Sequence, residues 1–159
     1  MRIANIDPLG KIASSLLRDA ADEIRPLYGQ PEPMSAPTNE PLGVRDFYVA
    51  AFLGVAPAGC GALREFDRTT AEVRRMYVRP EHRRKHVGHA ILAHLIDSAR
   101  EQGYERIILE TGNKQGPAIS FYESYGFGPI EPFGEHVNDV TSRCYELHIG
   151  AARHKPTAV

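Results

Sequence analysis

The sequence predicts one α/β domain built on a mixed, mainly antiparallel sheet, and three observations carry that prediction. The chain has 159 residues, 42% hydrophobic and 25% charged, the size and composition of one ordinary globular domain. Residues 46–78 contain three strand-like runs with short connections, DFYVAAFL, GCGALREF and TAEVRRMYV, which read as a meander. After them the pattern alternates strand, helix, strand, helix, strand.

Met1 to Ile6 reads as a short strand. Ile12, Leu16, Leu17, Ala20 and Ile24 recur at spacings of three and four, which predicts an amphipathic helix over Pro8 to Tyr28 with Asp7 as its N-cap. Residues 29–43, GQPEPMSAPTNEPLG, hold four prolines and no period, so they read as a loop within the single domain 1–159. Turns are expected at APAG and DRT, between the three strand runs. A helix beginning near His86 carries Val87, Ala90, Ile91, Leu95 and Ser98 on one face and stops at Gln102-Gly103. Arg106 to Glu110 is a short strand with Glu110 at its end. Gly116 to Tyr125 is a second helix of this half, ended by Gly126, and Phe127–Ile130 and Ser142–Ile149 are the last strands. Residues 150–159 form a tail.

Composition excludes several classes. Nineteen Lys and Arg against twenty Asp and Glu leave a formal charge of −1, so the global attraction of a nucleic-acid binder is absent and any anion site must be local. Cys60 and Cys144 have no metal-type spacing. No apolar run reaches a membrane span, and no leader pattern opens the chain. The expectation is a cytoplasmic protein, monomer or homodimer, with no metal, membrane or nucleic-acid partner.

Against that near-neutral background, RPEHRRKHVGHA (79–90) concentrates Arg79, Arg83, Arg84 and Lys85 just before a helix. Backbone N–H groups and the helix dipole can hold phosphate in such a place. The stretch MYVRPEHRRKHVGHAIL, followed by LETGNKQGPAISFYESYGF, resembles the two central motifs of the GNAT N-acetyltransferase superfamily. Arg83 to Gly88 falls on the family's Arg/Gln-x-x-Gly-x-Gly/Ala pattern, with His86 where that pattern has its first glycine. Ala118 to Tyr122, then Gly126-Phe127, fits the second motif, with Gln115 replacing an often-seen asparagine. The resemblance covers Asp46 to Ile149 well and the first forty-odd residues in layout only.

That resemblance implies helices on both faces of the sheet and acetyl-CoA as co-substrate, with a small-molecule or peptide amine as acceptor. The backbone of Met76, Tyr77 and Val78 would pair with the pantetheine arm. Arg83, Arg84, Lys85, His86, Val87, Gly88 and His89 would surround the pyrophosphate, and Gln115 and Tyr122 would also border the cofactor. His86 is expected to adopt ordinary helical φ, for which glycine is not required.

An amine acceptor is mostly protonated near neutral pH, so a base is needed. Glu110 and Glu72 are the candidates, each with an alternative role as the ion-pair partner of an arginine such as Arg74 or Arg75. Tyr122 would donate a proton to the departing thiolate, or else pack in the stripe Ala118, Phe121, Tyr122, Tyr125. His136 and Asp139 lie in a loop on the expected acceptor side, as substrate contacts or plain surface groups. The cysteines sit inside strand patterns, so no covalent acetyl carrier is expected. Two rival functions stay open: a non-catalytic acyl-CoA sensor, and a nucleic-acid module using Arg74 to Lys85.

Overall fold

A computed structural model of the protein describes residues 1–30 and 37–150. Part of the expected proline-rich loop, 31–36, and nearly all of the expected tail, 151–159, lie outside the described residues. The elements run β1 (Arg2–Asn5), α1 (Lys11–Ile24), β2 (Phe47–Leu53), β3 (Ala56–Glu65), β4 (Thr70–Val78), α2 (Val87–Glu101), β5 (Arg106–Gly112), α3 (Gly116–Ser124), β6 (Gly128–Ile130) and β7 (Ser142–His148). The seven-stranded sheet has the order β1-β2-β3-β4-β5-β7-β6. β1/β2, β2/β3, β5/β7 and β6/β7 are antiparallel and β4/β5 is parallel, the mixed and mainly antiparallel sheet that the sequence predicts.

The chain forms two compact units, Met1–Arg64 with Val73–Asp97, and Glu65–Glu72 with the chain from Ser98 onward. In the first, Ala13 and Leu16 of α1 pack with Tyr48, Cys60 and Ala62, and Ile6 and Tyr77 border them. Cys60 and Ala62 project from one face of β3, so Gly59 and Gly61 lie on the other. That other face meets α2: a Cβ on Gly61 would lie 2.7 Å from Ile91 and 3.0 Å from Leu95. The two helices therefore cover opposite faces of β3, and glycine lets α2 approach closely.

In the second unit β5 pairs with β7 along its length, Glu110 opposite Cys144 and Gly112 opposite Ser142, while Glu72 lies opposite Ile108. Directly opposed residues share a face and alternate residues return to it. Glu72, Glu110, Ser142 and Cys144 thus occupy one face, and Ile107, Leu109 and Tyr145 the other.

Several sequence expectations need correction. α1 starts at Lys11 with Gly10 as N-cap, because the Asp7 carboxylate accepts the Leu9 N–H at 2.9 Å and closes a turn outside the helix. Pro26 has no N–H to continue the helix, and residues 25–28 tighten into a 3-10 turn. APAG is strand, not turn: β3 begins at Ala56, and the chain reverses at Gly54, φ 62°. β5 runs two residues past Glu110, so Glu110 lies inside the strand.

Candidate active site

The entry to α2 is built from its anchor outward. Arg79 at the end of β4 donates to Pro57 O at 3.0 Å, to Ser15 Oγ at 2.9 Å and to Asp19 at 3.1 Å, which ties the start of the basic loop to α1. Arg83 donates to Val78 O at 2.9 Å and to Glu23 at 2.7 Å, and lies over the Tyr77 ring. Arg83 thus ties the loop to α1. Arg84 and Lys85 are exposed and have no ion pair among the described residues.

Arg84 and His86 both have φ 62°. For His86 this overturns the expected helical φ: α2 starts at Val87, and His86 stands just before it, its carbonyl accepting the Ala90 N–H at 3.0 Å. A left-handed L-residue costs roughly 1–2 kcal/mol, which is why a glycine suits this position. Left-handed residues in a loop also turn successive N–H groups into an anion-binding concavity. Val87 is 1% exposed, so only its backbone can serve a ligand. Gly88 lies in the first helical turn, and the exposed His86 and His89 rings lean on each other at 5.9 Å.

β4 holds a third left-handed residue, Arg75, φ 59°. The strand is irregular there, and the Cys60 thiol donates to the Arg75 carbonyl at 3.2 Å. Past this point Met76 lies toward Gly61 on the α2 face and Tyr77 packs toward α1. Such strain in a strand marks a functional candidate.

In the second unit Glu110 has two polar neighbours. The Ser142 hydroxyl donates to its Oε2 at 2.6 Å, and His136 Nδ1 lies 3.6 Å from the same oxygen. His136 also stacks edge-on against Phe133, which meets Phe66 in the same way. Burial pushes the Cys144 thiol up, and the carboxylates of Glu110 and Glu72 add to that shift, so both candidate bases act on one spot. Sequence reasoning left His136 undecided and did not identify Ser142. Only the β5/β7 register puts Ser142 beside Glu110, and no spacing along the chain signals it. Asp139 instead organises its own loop, accepting from Thr141 N and Oγ1 at 2.9 and 2.7 Å.

Gln115 is the N-cap of α3, without a side-chain cap bond. Tyr122 is the one buried residue in that helix. Its phenol is raised well above the usual range by burial alone, so it stays protonated and able to donate. Tyr122 also packs edge-on against Phe121 and Phe127, which gives it a core role as well. Burial pushes Cys60 up to about 11, so neither cysteine is a ready thiolate at neutral pH. No cluster of three or more metal-type ligands occurs among the described residues, and none of their helices is long and apolar enough to cross a membrane.

Comparison with known proteins places this fold among the acetyltransferases. Residues 13–127 match the model of the acetyltransferase (GNAT) family. An uncharacterized N-acetyltransferase of Bacillus subtilis, YsnE, is 37% identical over 145 residues, 89% of this chain and 95% of that protein. The IAA acetyltransferase of Azospirillum brasilense is 36% identical over 97 residues, 60% of this chain and 63% of that protein. Among solved structures, a GNAT family acetyltransferase from Elizabethkingia anophelis with acetyl-CoA bound has the same fold, with TM-score 0.65, 19% identity and coverage of 92% and 97%. The chain belongs to the acetyltransferase (GNAT) family and is an acetyltransferase enzyme.

Proposed function

We propose that the protein transfers the acetyl group of acetyl-CoA to a primary amine by direct attack in a ternary complex. The observation that carries this reading is the entry to α2, where Arg84 and Lys85 lack ion pairs among the described residues and Arg84 and His86 are left-handed. Backbone N–H groups from Arg84 to Gly88 would receive the pyrophosphate at the positive end of the helix. Charge-assisted hydrogen bonds from Arg84 and Lys85 would each contribute on the order of 1.5–3 kcal/mol. Arg83 supports this loop through Glu23 rather than meeting phosphate. The backbone of Met76 to Val78, just past the irregularity at Arg75, would pair with the amide-bearing arm.

The transfer forms one bond and breaks one. The neutral amine nitrogen attacks the thioester carbonyl, the C–S bond breaks, the amine proton passes to a base, and the thiolate takes up a proton. Glu110, oriented by Ser142 and His136, is assigned the base role directly or through water, with Glu72 on the same face as the alternative. Tyr122 is assigned the proton donor to sulfur. The raised thiols of Cys60 and Cys144 agree with direct attack. Thiol release from acetyl-CoA, measured with and without an amine panel, tests the proposal. Release that depends on the amine supports it, and acetyl-CoA binding without any amine-dependent release would favour a sensor.

A further inference from the structure

In the first unit, a recess of about 20 Å³ opens beside the strained strand β4, lined among others by Asn39, Glu40, Tyr48, Arg64, Arg74 and Arg75. A single water needs about 10–15 Å³ by the same measure, so the recess takes only the tip of a ligand. Arg64 pairs with Glu40 at 3.3 Å and Asp46 at 3.5 Å. Arg64 is thus answered by two carboxylates.

Arg75 is a further guanidinium of the recess, with Glu40 supporting its charge from beyond ion-pair distance. Its Nε donates to Asn39 Oδ1 at 3.0 Å, and it makes no ion pair among the described residues. Asn39 is itself fixed: 8% exposed, it donates to Pro8 O at 3.0 Å and to the Tyr48 hydroxyl at 3.3 Å. The Nε side of the guanidinium is therefore held by a neutral partner on a rigid frame. Desolvation and the neighbouring Arg74 both act against the Arg75 charge, and an arriving anion would offset both. Arg75 remains exposed to solvent, so a ligand can reach it.

We propose that Arg75, framed by Asn39, receives a carboxylate carried by the acceptor, so that the substrate class is amino acids and related small amines bearing an acid group. This rests on the acetyltransferase reading above. Arg75 immediately precedes Met76 to Val78, and a strand rises about 3.3 Å per residue. A carboxylate at Arg75 therefore lies within a few ångströms to roughly 10 Å of the strand assigned to the thioester arm. A short amino acid spans that distance. A guanidinium that accepts a planar carboxylate discriminates strongly against a neutral amide.

The test compares amino acids such as β-alanine, γ-aminobutyrate, L-methionine and L-phenylalanine with their primary amides and decarboxylated amines, by thiol release at saturating acetyl-CoA. At least one acid is expected to exceed its amide by about tenfold or more in kcat/KM. Arg75→Gln is expected to collapse that ratio toward one, and Arg75→Lys to keep part of it. Amides equal to or better than acids, or an unchanged ratio in Arg75→Gln, would overturn the proposal. NMR titration of N-acetyl amino acids against their amides, with CoA present, reads the same preference without turnover. A carboxylate preference there supports the site even if catalysis fails, and no preference sinks it. Should Arg75→Gln fail to fold by circular dichroism, the preference of the unaltered protein decides alone.

Discussion

Glu110 and His136 come together with Oε2 3.6 Å from Nδ1, while Ser142 donates to the same carboxylate oxygen at 2.6 Å. One hydrogen bond thus fixes the carboxylate, and the imidazole lies close beside it. Glu110→Gln is expected to lower kcat/KM by about a hundredfold or more. The deficit should be largest at low pH and shrink as the amine loses its own proton. Glu72→Gln should do less, and a pH profile with the reverse ranking would move the base to Glu72. His136→Gln should lower activity less than Glu110→Gln, through orientation.

Tyr122→Phe separates chemistry from packing. The phenyl ring keeps the contacts with Phe121 and Phe127, and only the hydroxyl is lost. A strong fall in kcat with little change in acetyl-CoA affinity is expected, since the proton is needed only as thiolate develops. Steady-state kinetics with a cofactor titration checks this, and an unchanged kcat returns Tyr122 to the core.

His86→Gly removes a left-handed side chain at φ 62°. The relieved strain, less the entropy cost of glycine, leaves a gain of about 0.5–1 kcal/mol, a rise of about 2 °C in Tm. Acetyl-CoA affinity should change less than about tenfold. Gly88→Val, in the first turn of α2, should weaken acetyl-CoA far more, as calorimetry would show.

The fold class and nearly every element were legible in the periodicity, because burial on one face or both writes itself into the spacing of apolar residues. Glu110 and Tyr122 were legible as candidates because they sit at family offsets. What was not legible came from backbone conformation and from register. Nothing in RRKHVG distinguishes a helical from a left-handed His86. Ser142 and His136 reach Glu110 only because β7 folds back on β5 with Ser142 opposite Gly112. The ties of Arg83 to Glu23 and of Arg75 to Asn39 join residues far apart in sequence, which a local reading of the basic stretch does not reveal.

Gly59→Ala tests the close packing of β3 and β4. The added methyl would sit 2.5 Å from the Tyr77 carbonyl oxygen, a backbone atom that cannot swing aside. A loss of about 1–3 kcal/mol is expected in denaturant unfolding, and no loss would mean that the two strands part easily.

Asp67 and Asp139 set an acid limit. Bonds from Thr69 hold the Asp67 carboxyl below the usual range, and bonds from Thr141 do so for Asp139. Groups with a lowered folded pKa contribute stability above the unfolded value, near about 3.9, that is lost as pH falls through the folded value. Asp67→Ala and Asp139→Ala should therefore lower Tm at neutral pH and flatten its fall in acid. Parallel melting curves would contradict this.

Direct transfer from acetyl-CoA to an amine leaves a distinct stoichiometry. The most direct measurement is mass spectrometry of amine and intact protein in one reaction, with free CoA counted alongside. One CoA released per acetylated amine is expected, with no acetyl group gained by the protein. Acetyl-CoA that is bound but never consumed, or a protein that itself becomes acetylated before the amine, would contradict it.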